Sequence, residues 1–314
     1  MKKILHVILI SIFSLTVISC AKKSDDSSSS TTSSGLFVAV GAAGTLLTSS
    51  DGTTWNAQTS GTSNNLRAVA YGNSILVVVG YSGTVLRSTD GTTWNDATAL
   101  STTTNNLTNV TYGNNTFMAV GGSGTIITSS DGIQWTSKTS GTSENLWGIA
   151  YGNSTWVANG DNGTIISSSD GTSWDNRTSG TTVEFNGLLY GNSTFVAVGY
   201  SGTILTSDNG TTWTSKTSGT SNEIREVIYD RNIFFGVGED ATYIYSQNGT
   251  SWSSGSPTGI DASAYLSGVA YGLETWVIVG AYGVIYTIKD EGTAYTLRTS
   301  GTTEHLRRVY SLVD

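Results

Sequence analysis

The chain has 314 residues and a mass of 32.9 kDa, with 37% hydrophobic but only 12% charged side chains, about half the charge usual for a soluble domain. Thirty-eight glycines against one proline, with Ser, Thr and Asn making up much of the rest, exclude a helical bundle and collagen, and 10% aromatics exclude disorder throughout, which leaves an all-β chain. Fifteen Lys plus Arg against 23 Asp plus Glu give −8, so there is no basic surplus with which to release counterions, and nucleic acid is excluded as a partner.

In chain order, Met1-Lys2-Lys3 is a basic start, Ile4 to Ser19 is mostly apolar, and Ser19 precedes Cys20, the single cysteine. This junction resembles a bacterial lipoprotein signal with its lipobox. The resemblance implies a signal peptide over residues 1–19, acylation of Cys20, and an exported protein held in the cell envelope by its lipid alone. Ala21 after the cysteine favours the outer membrane where there is one. An ordinary secretory signal or an uncleaved anchor is the alternative. Residues 20–34 carry Ser27 to Ser34 without apolar periodicity and read as a flexible tether.

From Gly35 onward the chain repeats. Trp55, Trp94, Trp135, Trp174, Trp213 and Trp252, followed by Tyr295, mark seven units of about forty residues. Gly41, Gly80, Gly121, Gly160, Gly199, Gly238 and Gly280 close a strand-like run in each, and Tyr71, Tyr112, Tyr151, Tyr190, Tyr229, Tyr271 and Tyr310 form a third series. Within a unit, turns of Gly, Asn and Asp separate four short strands. The last of these turns is Asp51-Gly52, Asp90-Gly91, Asp131-Gly132, Asp170-Gly171, Asn209-Gly210 or Asn248-Gly249, with Glu291-Gly292 as the departure. Seven units of four antiparallel strands predict a seven-bladed β-propeller over residues 35–314. The chain enters at a second strand, Leu36 to Val40, and leaves on an additional first strand, Leu306 to Tyr310. Adding that strand to the N-terminal blade closes the ring, whereas an open solenoid would leave an incomplete blade at each end.

Thr206-Ser207-Asp208-Asn209-Gly210-Thr211-Thr212-Trp213 fits the Asp-box, Ser/Thr-x-Asp-x-Gly-x-x-Trp, and the other units carry it in weaker form. The chain therefore resembles the BNR-like, sialidase-like and photosystem-II-assembly-factor-like propellers. In these the box shapes a turn and packs its Trp between blades, so the resemblance implies a structural role here. One carboxylate per hairpin supplies too few oxygens for Ca²⁺, and Asp51, Asp90, Asp131 and Asp170 read as turn residues rather than metal ligands.

A sialidase-type glycoside hydrolase is the alternative function, and its residues are not found. There is no Arg-Ile-Pro segment, since the one proline is Pro257, and Arg87, Arg177, Arg231 and Arg298 occupy non-equivalent, peripheral repeat positions. The two histidines are His6, inside the signal, and His305, so a His-based metal cluster or a Ser-His-Asp triad has at most one candidate base and no identifiable nucleophile. No Walker A segment is present, and no cofactor is expected. The expectation is a non-enzymatic, monomeric scaffold whose propeller binds an envelope or extracellular protein or glycan.

Where such a ligand sits is read from the position that does not repeat. The residue after the first apolar residue of the inner strand is Arg67, Thr108, Trp147, Asn186, Arg225, Ser267 or Arg307, and the preceding loops add Glu144, Glu184, Glu223, Glu304 and His305. Connectivity places these at one mouth of the central channel, opposite the Asp-Gly hairpins. Arg67, Trp147, Asn186, Arg225, His305 and Arg307 are the candidate ligand-binding residues, suited to a polar or glycan ligand. The alternative is that the arginines and glutamates pair across neighbouring loops and stay solvated.

Overall fold

In the computed structural model, residues 35–289 and 294–312 are described. Cys20, the tether and Glu291-Gly292 lie outside them. The described residues form seven four-stranded antiparallel sheets and no α-helix. Blades 2 to 7 are contiguous in sequence, with inner strands Leu66–Gly72, Leu107–Gly113, Leu146–Gly152, Phe185–Gly191, Ile224–Asp230 and Leu266–Gly272. Blade 1 takes its inner strand, Leu306–Leu312, from the C-terminus and its other three, Leu36–Gly41, Leu46–Ser49 and Asn56–Ala57, from the N-terminus. The predicted closure is therefore present, and an open solenoid is excluded.

Seven hydrophobic clusters fill the seven seams between blades. Phe37 and Ala39 of blade 1 pack with Val277 and Val279 of blade 7 across the closing seam, together with Leu306 and Val309. The repeat residues serve these seams. Trp55 and its equivalents pack into them, and Tyr295 takes the Trp position in blade 7. Each second strand ends in a glycine because a Cβ on Gly41, or on its six equivalents, would collide with the carbonyl of the residue preceding the inner strand.

The hairpin turns show which residues make the motif. Ser88 Oγ accepts the N–H of Gly91 at 2.8 Å, while Asp90 Oδ1 accepts from Thr92 and Thr93 at 2.8 and 2.7 Å. These N–H groups hold the Asp90 carboxyl well below the usual carboxylate range. Gly91 has φ +73°, a left-handed conformation that strains other residues, and rests against the Leu36 side chain of the preceding blade, which would have to shift for a Cβ. In blade 5 the acceptor is Asn209 Oδ1, at 2.9 and 3.0 Å from the N–H groups of Thr211 and Thr212. The Asp-box match at Asp208 is thus one residue out of register with the turn that forms.

A second correction concerns Tyr310. Tyr71 pairs with Leu76 at the second residue of its strand, whereas Tyr310 pairs with Val38 and Ser311 with Phe37. Tyr310 therefore aligns with Ala70, and Ser311 stands where the other blades have tyrosine.

Candidate functional site

Inner strands begin on the same face of the ring as the turns after Gly41, Gly80 and their equivalents, called here the upper face. The Asp-Gly hairpins lie on the lower face. All seven inner strands start with a β-bulge, seen as a register shift between their first and third residues, as from Leu66 to Ala68. The bulged residue is Arg67, Thr108, Trp147, Asn186, Arg225, Ser267 or Arg307. A bulge re-aims the side chain it carries. The non-repeating series read from the sequence is this ring of bulges.

Several of these side chains come together. The Arg67 guanidinium lies 5.5 Å from the ring centres of both Tyr81 and Trp147. That of Arg225 lies 5.8 Å from Tyr200 and 4.5 Å from Tyr265. Each cation is thus held between two rings, an arrangement that fixes it without consuming its N–H edge. Trp147 is itself anchored, its indole N–H donating to Asp161, which also accepts from Asn145 Nδ2 at 2.8 Å. Burial lowers Arg67 to about 10, with Arg307, Arg308 and Arg225 pushing the same way and Tyr81 opposing. The Nε groups of Arg225 and Arg307 are buried and find no hydrogen-bond partner within the protein.

The other bulge residues are tied down. Thr108 Oγ1 donates to the carbonyl of Leu146 at 2.5 Å and Asn186 Nδ2 to that of Ile224 at 3.2 Å, each stitching one blade to the next. His305 Nε2 is 2.7 Å from Ser267 Oγ, and its ring meets Tyr265 edge-on at 5.4 Å. Burial beside Arg307, Arg225 and Arg67 pushes His305 down to about 4, so the imidazole is neutral at physiological pH.

The residue just before each inner strand divides the ring. In blades 2, 3 and 4 it is Asn65, Asn106 or Asn145, whose Oδ1 accepts a backbone N–H of the neighbouring turn at 3.0 Å. In blades 5, 6, 7 and 1 it is Glu184, Glu223, Tyr265 or His305. Glu144 and Glu304 lie one residue earlier and do not belong to this series; Glu144 accepts from Asn162 Nδ2 at 2.9 Å on the rim. Glu223 is 2% exposed, forms a 2.7 Å ion pair with Arg225 and accepts from Asn186 Nδ2 at 2.8 Å. Burial raises its carboxyl to about 7, with Arg225 opposing and Glu239 adding to the rise. The expected pairing of arginine with glutamate across neighbouring loops, solvated, is not what Arg225 makes: its partner lies two residues away, just before the same strand, and the Glu223 side chain is buried.

One level down the channel is a feature the sequence reading missed. The third residue of the inner strand is small in most blades, as at Ala68, Gly148, Gly187 and Gly268, but is Glu226 in blade 6 and Arg308 in blade 1. These two form an ion pair across blade 7, and Glu226 Oε2 also accepts the N–H of Val269 at 2.8 Å. A Cβ on Gly268 would come within 3.1 Å of that oxygen, so the glycine makes room for the pair. Charge at a position that is Ala, Gly or Asn in the other blades was the available signal. The pair borders a channel cavity of about 360 Å³ lined mainly by Val, Ile, Leu and Tyr side chains.

The four remaining arginines make local bonds, and Arg177 and Arg298, expected at non-equivalent positions, share one: each ends a fourth strand and donates its Nε to a hydroxyl of the third. Arg87 donates to the carbonyl of Asp131, Arg177 pairs with Asp175, Arg231 donates to the Tyr271 hydroxyl, and Arg298 donates to Thr287. Among the described residues no group of three or more His, Cys, Asp or Glu side chains is placed to hold a metal ion.

No family model matches the sequence, and no curated protein matches it. Solved structures match its fold, and the fold and mouth together define the class: a seven-bladed propeller with an arginine-lined channel mouth. A structure of YCF48 bound to D1 peptide superposes with a TM-score of 0.63 at 18% identity, over 80% of this chain and 86% of that one. YCF48 from Cyanidioschyzon merolae gives 0.60 at 16% identity, over 77% and 87%. The computationally designed Ika8 protein gives 0.54 at 16% identity, over 78% and 90%. At these identities the likeness is one of fold.

Proposed function

We propose that this protein is a non-enzymatic binding scaffold of the cell envelope, anchored by a lipid on Cys20, that holds a protein partner by an acidic segment at the upper mouth of its channel. The observation that carries the reading is the convergence of Arg67, Arg225 and Arg307 in a chain of net charge −8, two of them with buried, unpartnered N–H groups. A carboxylate is the acceptor that planar guanidinium groups fit. Protein is favoured over glycan because Tyr81, Trp147, Tyr200 and Tyr265 each already face an arginine, which competes with a sugar for those rings. A propeller of the same fold with a bound peptide supports the same choice.

The test uses full-length protein purified from membranes, in which mass spectrometry should find an acylated Cys20 as the first residue. Hexaglutamate, hexalysine and a hexamer of galacturonate are titrated into it. Hexaglutamate should bind, and the double variant Arg225→Ala with Trp147→Ala should weaken it at least tenfold while staying folded. Equal binding by that variant removes the mouth from consideration, preference for the uronate hexamer reassigns the partner to glycan, and a mature chain retaining Met1 sinks the anchor.

A further inference from the structure

We infer that Arg225 serves two carboxylates in turn, that of Glu223 while the mouth is empty and that of an acidic ligand when it is filled, and that Glu223 yields by taking up a proton beside Glu239. The inference rests on the reading of the mouth as an acidic-ligand site, and it names how that site is regulated.

The geometry gives the two partners of this ion pair very different freedom. Arg225 lies against the faces of Tyr200 and Tyr265 and is 22% exposed, so part of its guanidinium is open to a ligand at the mouth and can turn from Glu223 towards it. Glu223 cannot follow it. Its side chain is 2% exposed, its Oε1 is bonded to Asn186, and its backbone carbonyl accepts the N–H of Glu239 at 3.0 Å. That backbone bond sets Glu239 beside Glu223, and the second carboxyl adds to the rise of the Glu223 carboxyl that burial causes. With Arg225 neutralising it, Glu223 can stay ionised. Once a ligand carboxylate takes the guanidinium, an unpaired anion in that position would face a second carboxyl without a cation, a far costlier state than the protonated one.

The groups facing Glu223 are few. Arg225 comes from its own strand, Glu239 from the turn after Gly238, Tyr200 from the turn of blade 5, and the uncharged Asn186 from the inner strand of that blade. Across the mouth Arg67, Arg307 and His305 face Arg225, and His305, pushed down to about 4, does not titrate near neutrality. Glu223, at about 7, does. The exchange is balanced: the ligand arrives ionised, the Glu223 carboxylate takes one proton from solvent, and the Arg225 charge is satisfied before and after.

Hexaglutamate is titrated calorimetrically into the full-length protein from pH 6.5 to 8.5, in pairs of buffers that differ in ionisation enthalpy. The peptide's own carboxyls ionise well below this range, at about 4.3. Binding should draw close to one proton from the buffer above pH 7, and affinity should fall by up to tenfold per pH unit there and level off below. In Glu223→Gln the proton uptake and the pH dependence over this range should vanish while binding persists. Glu239→Gln, a second variant that keeps the ion pair, should move the break in the profile to lower pH. Binding without proton uptake, or uptake unchanged in Glu223→Gln, overturns the exchange and leaves the acidic-ligand reading standing. Failure of wild type and Glu223→Gln to bind at any of these pH values overturns both.

Discussion

Arg308 and Glu226 bury opposite charges in the channel at 17% and 10% side-chain exposure, held by each other and by the N–H of Val269. Removing one partner of such a pair costs far more than the pair contributes, because the survivor is left uncompensated. Burial already raises the Glu226 carboxyl, with Arg308 and the Val269 N–H opposing, and without Arg308 it would rise further. A carboxyl whose folded pKa lies above its unfolded one takes up protons on folding, so stability is fullest below the unfolded value and is lost as pH climbs through the folded one. Arg308→Met should therefore lose about 3–5 kcal/mol at pH 8 and distinctly less at pH 5, where Glu226 can be protonated. Thermal melts at the two pH values check this, and an equal loss at both would show that Arg308 acts through packing alone.

At the scale of strands, the closing element is Leu306–Leu312. It pairs with Leu36–Gly41 along that strand's whole length and puts Leu306, fully buried, and Val309 into the seam between blades 7 and 1. A chain ending at His305 would expose the inner edge of Leu36–Gly41, where Phe37, Val38, Ala39 and Val40 are completely buried. Two aliphatic side chains at about 1.5–3 kcal/mol each, added to the lost ladder, amount to a large part of a domain's net stability. The truncated chain should melt far below the full-length one, in a broadened transition. An unchanged melting temperature would mean that the ring does not depend on its closure. This element was legible in the sequence because its apolar residues continue the blade period past the last complete unit. Its internal register was not, since Tyr310 follows Tyr271 by a repeat-like 39 residues while backbone pairing puts it one position early.

For the molecule as a whole, the sequence carried the number of blades and the ring of non-repeating positions, because Gly, Trp and hairpin turns must recur wherever blades pack and the mouth is free to vary. It did not carry what those positions touch. That Arg67 reaches Trp147 two blades away, or that Glu226 meets Arg308 over Gly268, depends on the diameter and curvature of the closed ring, which no local pattern encodes. The same closure makes the molecule two-sided, with arginines, Glu223 and aromatic rings around the upper mouth and turn-forming Asp and Asn residues on the lower face. The central claim is that binding belongs to the upper side. Hydrogen exchange followed by mass spectrometry on the full-length protein, with and without hexaglutamate, tests it most directly. Slowed exchange should concentrate at residues 65–67, 223–225 and 305–307 and leave the Asp-Gly hairpins unchanged; protection at the hairpins, or none at the three strand starts under saturating peptide, would contradict it.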